Sequence, residues 1–277
     1  MIFAWVPRYD MGVPQETPPP REVVSSAPMV PVSAEDFARA RRRIVFKWIG
    51  VGLLAIVVGL GIYERSRSSQ DGRTALDDGE KMLKAGRYSE AIQSFDRALG
   101  VDRGIVKAYL FRGRAKAALG QTEAAIADFT KVIQLQPADT DAFVERAAIH
   151  LQTHDYPAVV ADCGEAIRRN PRLTYAYTLR GMAFREMGNL PSSLEDFNHA
   201  VELAPGLDTY FQRASTYQSM GDHPRALADL DQVVSLYPTS PMGYLSRAKS
   251  REATGDLAGA RSDRENGRRL ENRHLGQ

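Results

Sequence analysis

The sequence predicts an all-α protein: a solenoid of about six helix-turn-helix repeats, preceded by one transmembrane helix and a disordered N-terminal tail. Three observations carry that expectation. A pattern of small, aromatic and glycine positions recurs every 34 residues from about residue 72 onward. The prolines inside that region fall only at segment boundaries. Residues 44–63, IVFKWIGVGLLAIVVGLGIY, form one long apolar run. At 277 residues the chain is long enough to bury a sizeable core.

The first element is the tail. Seven of the 15 prolines lie within residues 1–31, in stretches such as ETPPPREVVSSAPMVPV with no apolar periodicity. Residues 1–43 therefore read as a disordered Pro-rich tail with a basic flank, a solvated tether whose PPPR piece also suits an aromatic groove.

Residues 44–63 come next and read as the transmembrane helix. Twenty residues at the helical rise reach roughly 30 Å, the thickness of a hydrocarbon core. Lys47 is the only charge and lies near one end, and Trp48 and Tyr63 sit where interfacial aromatics sit. The run starts too late for a cleaved signal peptide and lacks a small-x-small cleavage site. Arg39, Arg41, Arg42 and Arg43 precede it and Arg65, Arg67 and Arg73 follow. The positive-inside bias therefore favours a cytoplasmic N-terminus, with the array outside the cytoplasm (periplasmic in a Gram-negative bacterium); the reverse orientation leaves the array cytoplasmic. Gly52, Ala55 and Gly59 share one face, which permits close pairing of spans in a homo-oligomer.

After a linker at 64–71, the repeat occupies residues 72–277. Its units are 72–105, 106–139, 140–173, 174–206 (one residue short), 207–240 and a less regular 241–271 with a capping tail. Within each unit a first helix ends near a glycine: Gly86, Gly120, Gly188, Gly221 or Gly255. Asp155, Asn189, Asp222 and Asp256 follow as N-caps of the second helix. Pro157, Pro191 and Pro224 stand just inside that helix, and Pro137, Pro171, Pro205 and Pro238 end it. Gly79, Gly113, Ala147, Gly181, Ala214 and Ala248 leave room on the first helix for Phe95, Phe129, Cys163, Phe197 and Leu230 on the second. One hairpin cannot bury both faces, so units must stack. The last second helix, ARSDRENGRRLENRH, is polar and puts Arg264 where the others place Phe, Leu or Cys, as an end cap requires.

Two ladders of charge run through the units. Arg112, Arg146, Arg180, Arg213 and Arg247 hold equivalent places, with Asp128, Asp162, Asp196, Asp229 and Asp263 each 16 residues later. The first unit has Asp78 and Ser94 at these places and lacks both partners together. Pairing between units would leave Arg112 facing Ser94, so the pairs are expected within units, bracing each hairpin.

These positions, sustained over about 200 residues, resemble the tetratricopeptide repeat (TPR) family. The resemblance implies a right-handed superhelix whose first helices line a concave groove for a protein or extended peptide. Carried over unit by unit, the groove positions are Lys107, Leu110 and Arg114, then Val144 and Ala148, then Tyr175, Thr178, Met182 and Arg185. Phe211 and Ser215 follow, with Leu245 and Lys249 in the last unit. Tyr175 and Phe211, with Met182 and Arg185 nearby, look like an anchor for a segment with apolar groups and at least one acidic group. The family members that grip acidic chaperone tails place Lys and Asn in the groove. Here the Lys places hold Leu76, Leu110, Val144, Thr178, Phe211 and Leu245, so that clamp is not expected.

Other chemistries find little support. The 36 Lys and Arg nearly balance 34 Asp and Glu, so no field argues for nucleic acid. Cys163 is the only cysteine, which excludes an intrachain disulfide and a thiolate-rich metal site. His150, His154, Asp155 and Cys163 lie close in sequence, but the register makes Cys163 core and puts His154 at the turn-glycine place. No phosphate-cradling loop, zinc-protease motif or nucleophile elbow appears. No catalytic residue, metal or cofactor is expected, and the expected function is that of a membrane-tethered interaction module rather than an enzyme. The alternative is a structural scaffold subunit of a stable membrane or cell-envelope complex.

Overall fold

Gly-containing turns and polar N-caps dictate a chain of helical hairpins, and a computed structural model describing residues 33–275 has that form. Among the described residues there are twelve α-helices and no strand. They are α1 (Ala34–Lys84), α2 (Tyr88–Val101), α3 (Val106–Ala118), α4 (Thr122–Leu135), α5 (Thr140–Gln152) and α6 (Tyr156–Arg169). The rest are α7 (Thr174–Glu186), α8 (Leu190–Leu203), α9 (Leu207–Ser219), α10 (His223–Leu236), α11 (Pro241–Ala253) and α12 (Leu257–Leu275). The chain divides into two units between Gly61 and Ile62.

In the first unit, residues 1–32 of the expected tail lie outside the described residues. The basic flank is helical from Ala34, not extended as a disordered tail to residue 43. Its sequence AEDFARARRR is rich in strong helix formers, and Glu35 accepts from Arg39 at 3.2 Å. Among the described residues no helix is long and apolar enough to cross a membrane. Within the expected span the side chains of Ile44, Val45, Trp48 and Ile49 lie outside the described residues, whereas Phe46, Lys47 and residues 50–63 are described and exposed.

Residues 64–71, expected as a linker, are helical and belong to α1. Their sequence, ERSRSSQD, contains neither proline nor glycine to stop a helix. From residue 72 the helices pair in sequence order as the repeat requires. Each turn has the same hydrogen bonds: Gly120 N donates to Ala117 O at 2.9 Å and Gln121 N to Lys116 O at 2.9 Å. The turn glycines have φ between +71° and +86°. His154 stands at the same place with φ +61°, the only non-glycine with positive φ among the described residues. Asp155, Asn189, Asp222 and Asp256 cap the second helices as expected, accepting from Ala158, Ser192, Arg225 and Gly259 N at 2.9–3.3 Å.

The hairpin interior is packed by matched sizes. A methyl placed on Gly113 would lie 2.7 Å from Phe129 Cε1, and one on Gly181 would lie 3.0 Å from Phe197 Cε1. Where the first helix carries alanine instead, at Ala147 and Ala214, the partners are the smaller Cys163 and Leu230, all fully buried. Volume is thus conserved across each pair rather than at each position.

All five Arg–Asp pairs form within their units, each with two parallel hydrogen bonds. Arg112 Nε and Nη2 donate to Asp128 at 2.9 and 2.6 Å, and Arg180 does so to Asp196 at 2.9 and 2.7 Å. Arg146–Asp162, Arg213–Asp229 and Arg247–Asp263 repeat the fork. The Asp side chains are buried, so the fork geometry matters: it satisfies both carboxylate oxygens away from water. The third guanidinium nitrogen reaches back to the preceding unit, a link the sequence reading missed. Arg112 Nη1 donates to Asp96 at 2.5 Å, Arg146 Nη1 to Thr130 at 2.8 Å, Arg213 Nη1 to Asn198 at 3.1 Å and Arg247 Nη1 to Asp231 at 2.8 Å. The matching place beside Arg180 is Gly164, which has no side chain to accept. Burial works against the Arg112 cation, but its bonds to Asp128 and Asp96 outweigh that and raise its pKa above the ordinary value.

At the end of the array, Arg264 is exposed and pairs with Glu252, so α12 closes the stack with a polar face. The helix continues to Leu275, beyond the expected unit boundary at 271.

Candidate functional site

The first helices α3, α5, α7, α9 and α11 carry the thirteen positions expected to line the groove. Their surroundings differ widely. Leu110 and Val144 are buried, packed with Phe129 and Val132 in one cluster and with Phe143 and Cys163 in another. Ala148 is half-buried against the Cys163 cluster, and Leu245 is half-buried with its side chain close to Gly267 of α12. Phe211 packs against Ala214, Tyr217, Ala226 and Leu230, so it stabilises its own hairpin. Ser215 is half-buried, whereas Lys107 and Lys249 are exposed.

The two expected arginines are engaged internally. Arg114 Nε donates to Glu145 at 2.7 Å, linking α3 to α5. Arg185 Nη1 donates to Gln212 Oε1 at 2.9 Å, linking α7 to α9, and its Nε lies 3.8 Å from Glu186. Burial pushes the Arg185 pKa below the ordinary arginine value, with Glu186 pulling the other way. The expectation of an acidic group in the partner rested on the mixture of groove residues, whose cations are Lys107, Arg114, Arg185 and Lys249; the two arginines are bonded within the array and the two lysines are exposed.

Tyr175, Thr178 and Met182 do come together. They sit on successive turns of α7, facing a concavity of about 550 Å³. Its remaining wall is the α8–α9 connection (Ala204, Pro205, Gly206), the first turns of α9 (Leu207, Asp208, Thr209, Gln212) and Tyr237 after α10. Tyr175 is 54% exposed although it is a large aromatic. The wall residues beyond α7 were missed because they lie in connections and at the start of α9, away from the mid-helix positions the family resemblance carries over.

A signal for them was present in the short unit. The α8–α9 connection has three residues, 204–206, where the other inter-unit connections have four. Thr209 stands where the second, third, fourth and sixth units have Ala108, Ala142, Ala176 and Gly243 and the first has Thr74. Its Oγ1 lies 2.9 Å from Ala204 O and 3.2 Å from Gly206 O, and accepts from Gly206 N at 3.0 Å. One buried hydroxyl therefore fixes the tight turn beside the concavity.

The thiol is a structural group. Cys163 is fully buried and its pKa is pushed up to about 12, by burial first and by the Asp162 charge second. His154 Nδ1 meets the Tyr156 hydroxyl at 2.8 Å, and His150 lies 3.6 Å from Asp155. Among the described residues no group of His, Cys, Asp and Glu is arranged to hold a metal ion.

Comparison with known proteins agrees with this architecture. Residues 82–142, 174–206 and 208–240 each match a family model described as a tetratricopeptide repeat. The human DnaJ homolog subfamily C member 3 is 39% identical over 61 residues, which cover 22% of this chain and 12% of that protein. The bovine counterpart is 38% identical over the same length. Among solved structures, MamA 41-end from Desulfovibrio magneticus RS-1 is 21% identical with a TM-score of 0.58, covering 61% of this chain and 96% of that one. YrrB, titled a TPR protein with an unusual peptide-binding site, is 19% identical with a TM-score of 0.56, covering 66% and 94%. At these identities the solved structures establish the fold alone. Residues 82–142, 174–206 and 208–240 of this series of helical hairpins are therefore tetratricopeptide repeats.

Proposed function

We propose that this chain is a membrane-tethered interaction module that binds a protein or extended peptide segment on the α7–α9 face and gathers it at the bilayer. The observation that carries the binding reading is the concavity under Tyr175, where a half-exposed aromatic borders Met182 and a tightly pinned turn. The peptide-binding site named for YrrB, a protein of the same fold, supports it. The tether reading rests on residues 44–63. Phe46, Leu53, Leu54, Ile56 and Ile62 are helical and exposed, a surface that water does not favour. The uninterrupted described stretch 50–64 reaches only about 22 Å at the helical rise, and residues 44–49 complete the length a bilayer needs. Tethering raises the local concentration of any partner held by the array. The array acts by binding, not by catalysis.

Photo-crosslinking in the full chain tests the site. A crosslinker at Thr178 should capture the partner, one at the exposed Glu195 of α8 should not, and Tyr175→Ala should lower affinity by about tenfold or more with an unchanged melting point. Capture only from second-helix positions, untouched by Tyr175→Ala, would replace the groove with the scaffold reading. A C-terminal alkaline phosphatase fusion tests the tether: activity places the array outside the cytoplasm, inactivity with a fluorescent green reporter places it inside, and recovery of the full chain in the soluble fraction removes the tether.

A further inference from the structure

The charges around the α7–α9 concavity are one-sided. Of its lining residues only Asp208 carries a formal charge, and no lysine, arginine or histidine contributes to the wall. Asp208 is exposed and forms no ion pair or hydrogen bond among the described residues. Two phenol rings, Tyr175 and Tyr237, line the same concavity and are both partly exposed. An aromatic face attracts a cation through its quadrupole, and a carboxylate does so through its charge. Arg185 does not line the concavity; it donates to Gln212 Oε1 at 2.9 Å and has Glu186 at 3.8 Å. The Tyr175 phenol holds its proton more firmly than usual, through burial first and then the Glu145 carboxylate.

We infer that the concavity selects a segment in which an apolar side chain stands next to a lysine or arginine, the apolar group lying over Met182 and the cation meeting Asp208 and the tyrosine rings. This rests on the binding reading above and replaces the acidic group expected from sequence with a basic one. The apolar wall formed by Met182, Ala204 and Pro205 gives the anchor its site, while the single carboxylate sets the sign of the neighbour. Asp208 also lies in the first turn of α9, where a negative charge suits the helix N-terminus.

The test uses the full chain in lipid nanodiscs and three fluorescein-labelled octapeptides: GSLFRLGS and its analogues with glutamate or glutamine in place of arginine. The arginine peptide should bind at least about fivefold more tightly than the glutamate peptide. Asp208→Asn, which keeps the shape of the side chain, should bring the three affinities within about twofold of one another. Tyr175→Ala should weaken all three. Equal affinities in the parent chain, or a preference for glutamate, overturn the cation inference; loss of binding in Tyr175→Ala would then leave the groove reading intact. Binding indifferent to both substitutions places the peptide elsewhere and overturns both readings. Failure of all three peptides to bind below about 1 mM also overturns both.

Discussion

The second unit, 106–139, and the third, 140–173, have the same fold and differ at three places that define it. The second turns at Gly120, packs Phe129 over Gly113 and offers Thr130 to the next unit's arginine. The third turns at His154, packs Cys163 beside Ala147 and offers nothing at Gly164. Even so, the turn bonds of the third unit match those of the second: His154 N to Leu151 O at 3.2 Å and Asp155 N to His150 O at 2.8 Å. The Arg146–Asp162 fork is likewise the same as Arg112–Asp128. The difference teaches that the repeat is fixed by relations between residues more than by residue identities. Hydrogen-bond geometry and summed side-chain volume are kept; the residues that supply them vary.

Removing a shared relation should have the largest effect. Asp162→Ala leaves the Arg146 guanidinium half-buried with Thr130 alone and should destabilise the array by about 3 kcal/mol, read from urea unfolding. Arg146→Ala with Asp162→Ala should cost clearly less than the sum of the two singles, whereas additivity would mean that the fork is decorative. Next comes the size match. Gly113→Ala drives a methyl toward the Phe129 ring and should cost about 2 kcal/mol. Cys163→Phe should destabilise by a similar amount, and adding Ala147→Gly should restore most of the loss. If the second substitution makes matters worse, matched volume is not the rule.

Smaller effects should make the third unit more like the second. His154→Gly relieves a left-handed backbone strained by a Cβ and should stabilise by about 1 kcal/mol. A loss would show that the His154–Tyr156 contact outweighs the strain. Gly164→Asp places a Cβ 4.0 Å from Arg180 Nη1, bringing a carboxylate within its reach, and removes a glycine from a helix interior, for a gain of up to about 1 kcal/mol. Gly164→Ala serves as control: an equal gain would credit helix propensity, and a smaller one the new hydrogen bond. Unfolding of an array need not be all-or-none, so amide exchange in each unit gives the sharper reading of every variant.

The fold was legible because its determinants repeat. Turn glycines, boundary prolines and the Arg–Asp places each recur in several units, so any one unit could be checked against the rest. The backward arginine link escaped notice because its acceptors are Asp96, Thr130, Asn198 and Asp231, which share a function and not an identity. The concavity was legible in part. Tyr175, Thr178 and Met182 follow from helix spacing, but Asp208, Thr209 and Tyr237 join them beside a connection one residue shorter than the others, whose geometry helix spacing does not give. Phe211 and Arg185 lie on first helices as expected, yet pack and hydrogen-bond within the array. Spacing assigns a side chain to a helix face; it does not reveal what already occupies that face.

The Cys163 sulfur makes the third hairpin its own clock. It is the only thiol in the chain, it is fully enclosed, and its proton is held up to about pH 12. An alkylating reagent needs both access and a thiolate. Modification of the unmodified chain therefore counts openings of the α5, α6 and α7 packing around the sulfur. Its rate gives a local opening frequency by mass spectrometry, without any label that would disturb the packing being timed.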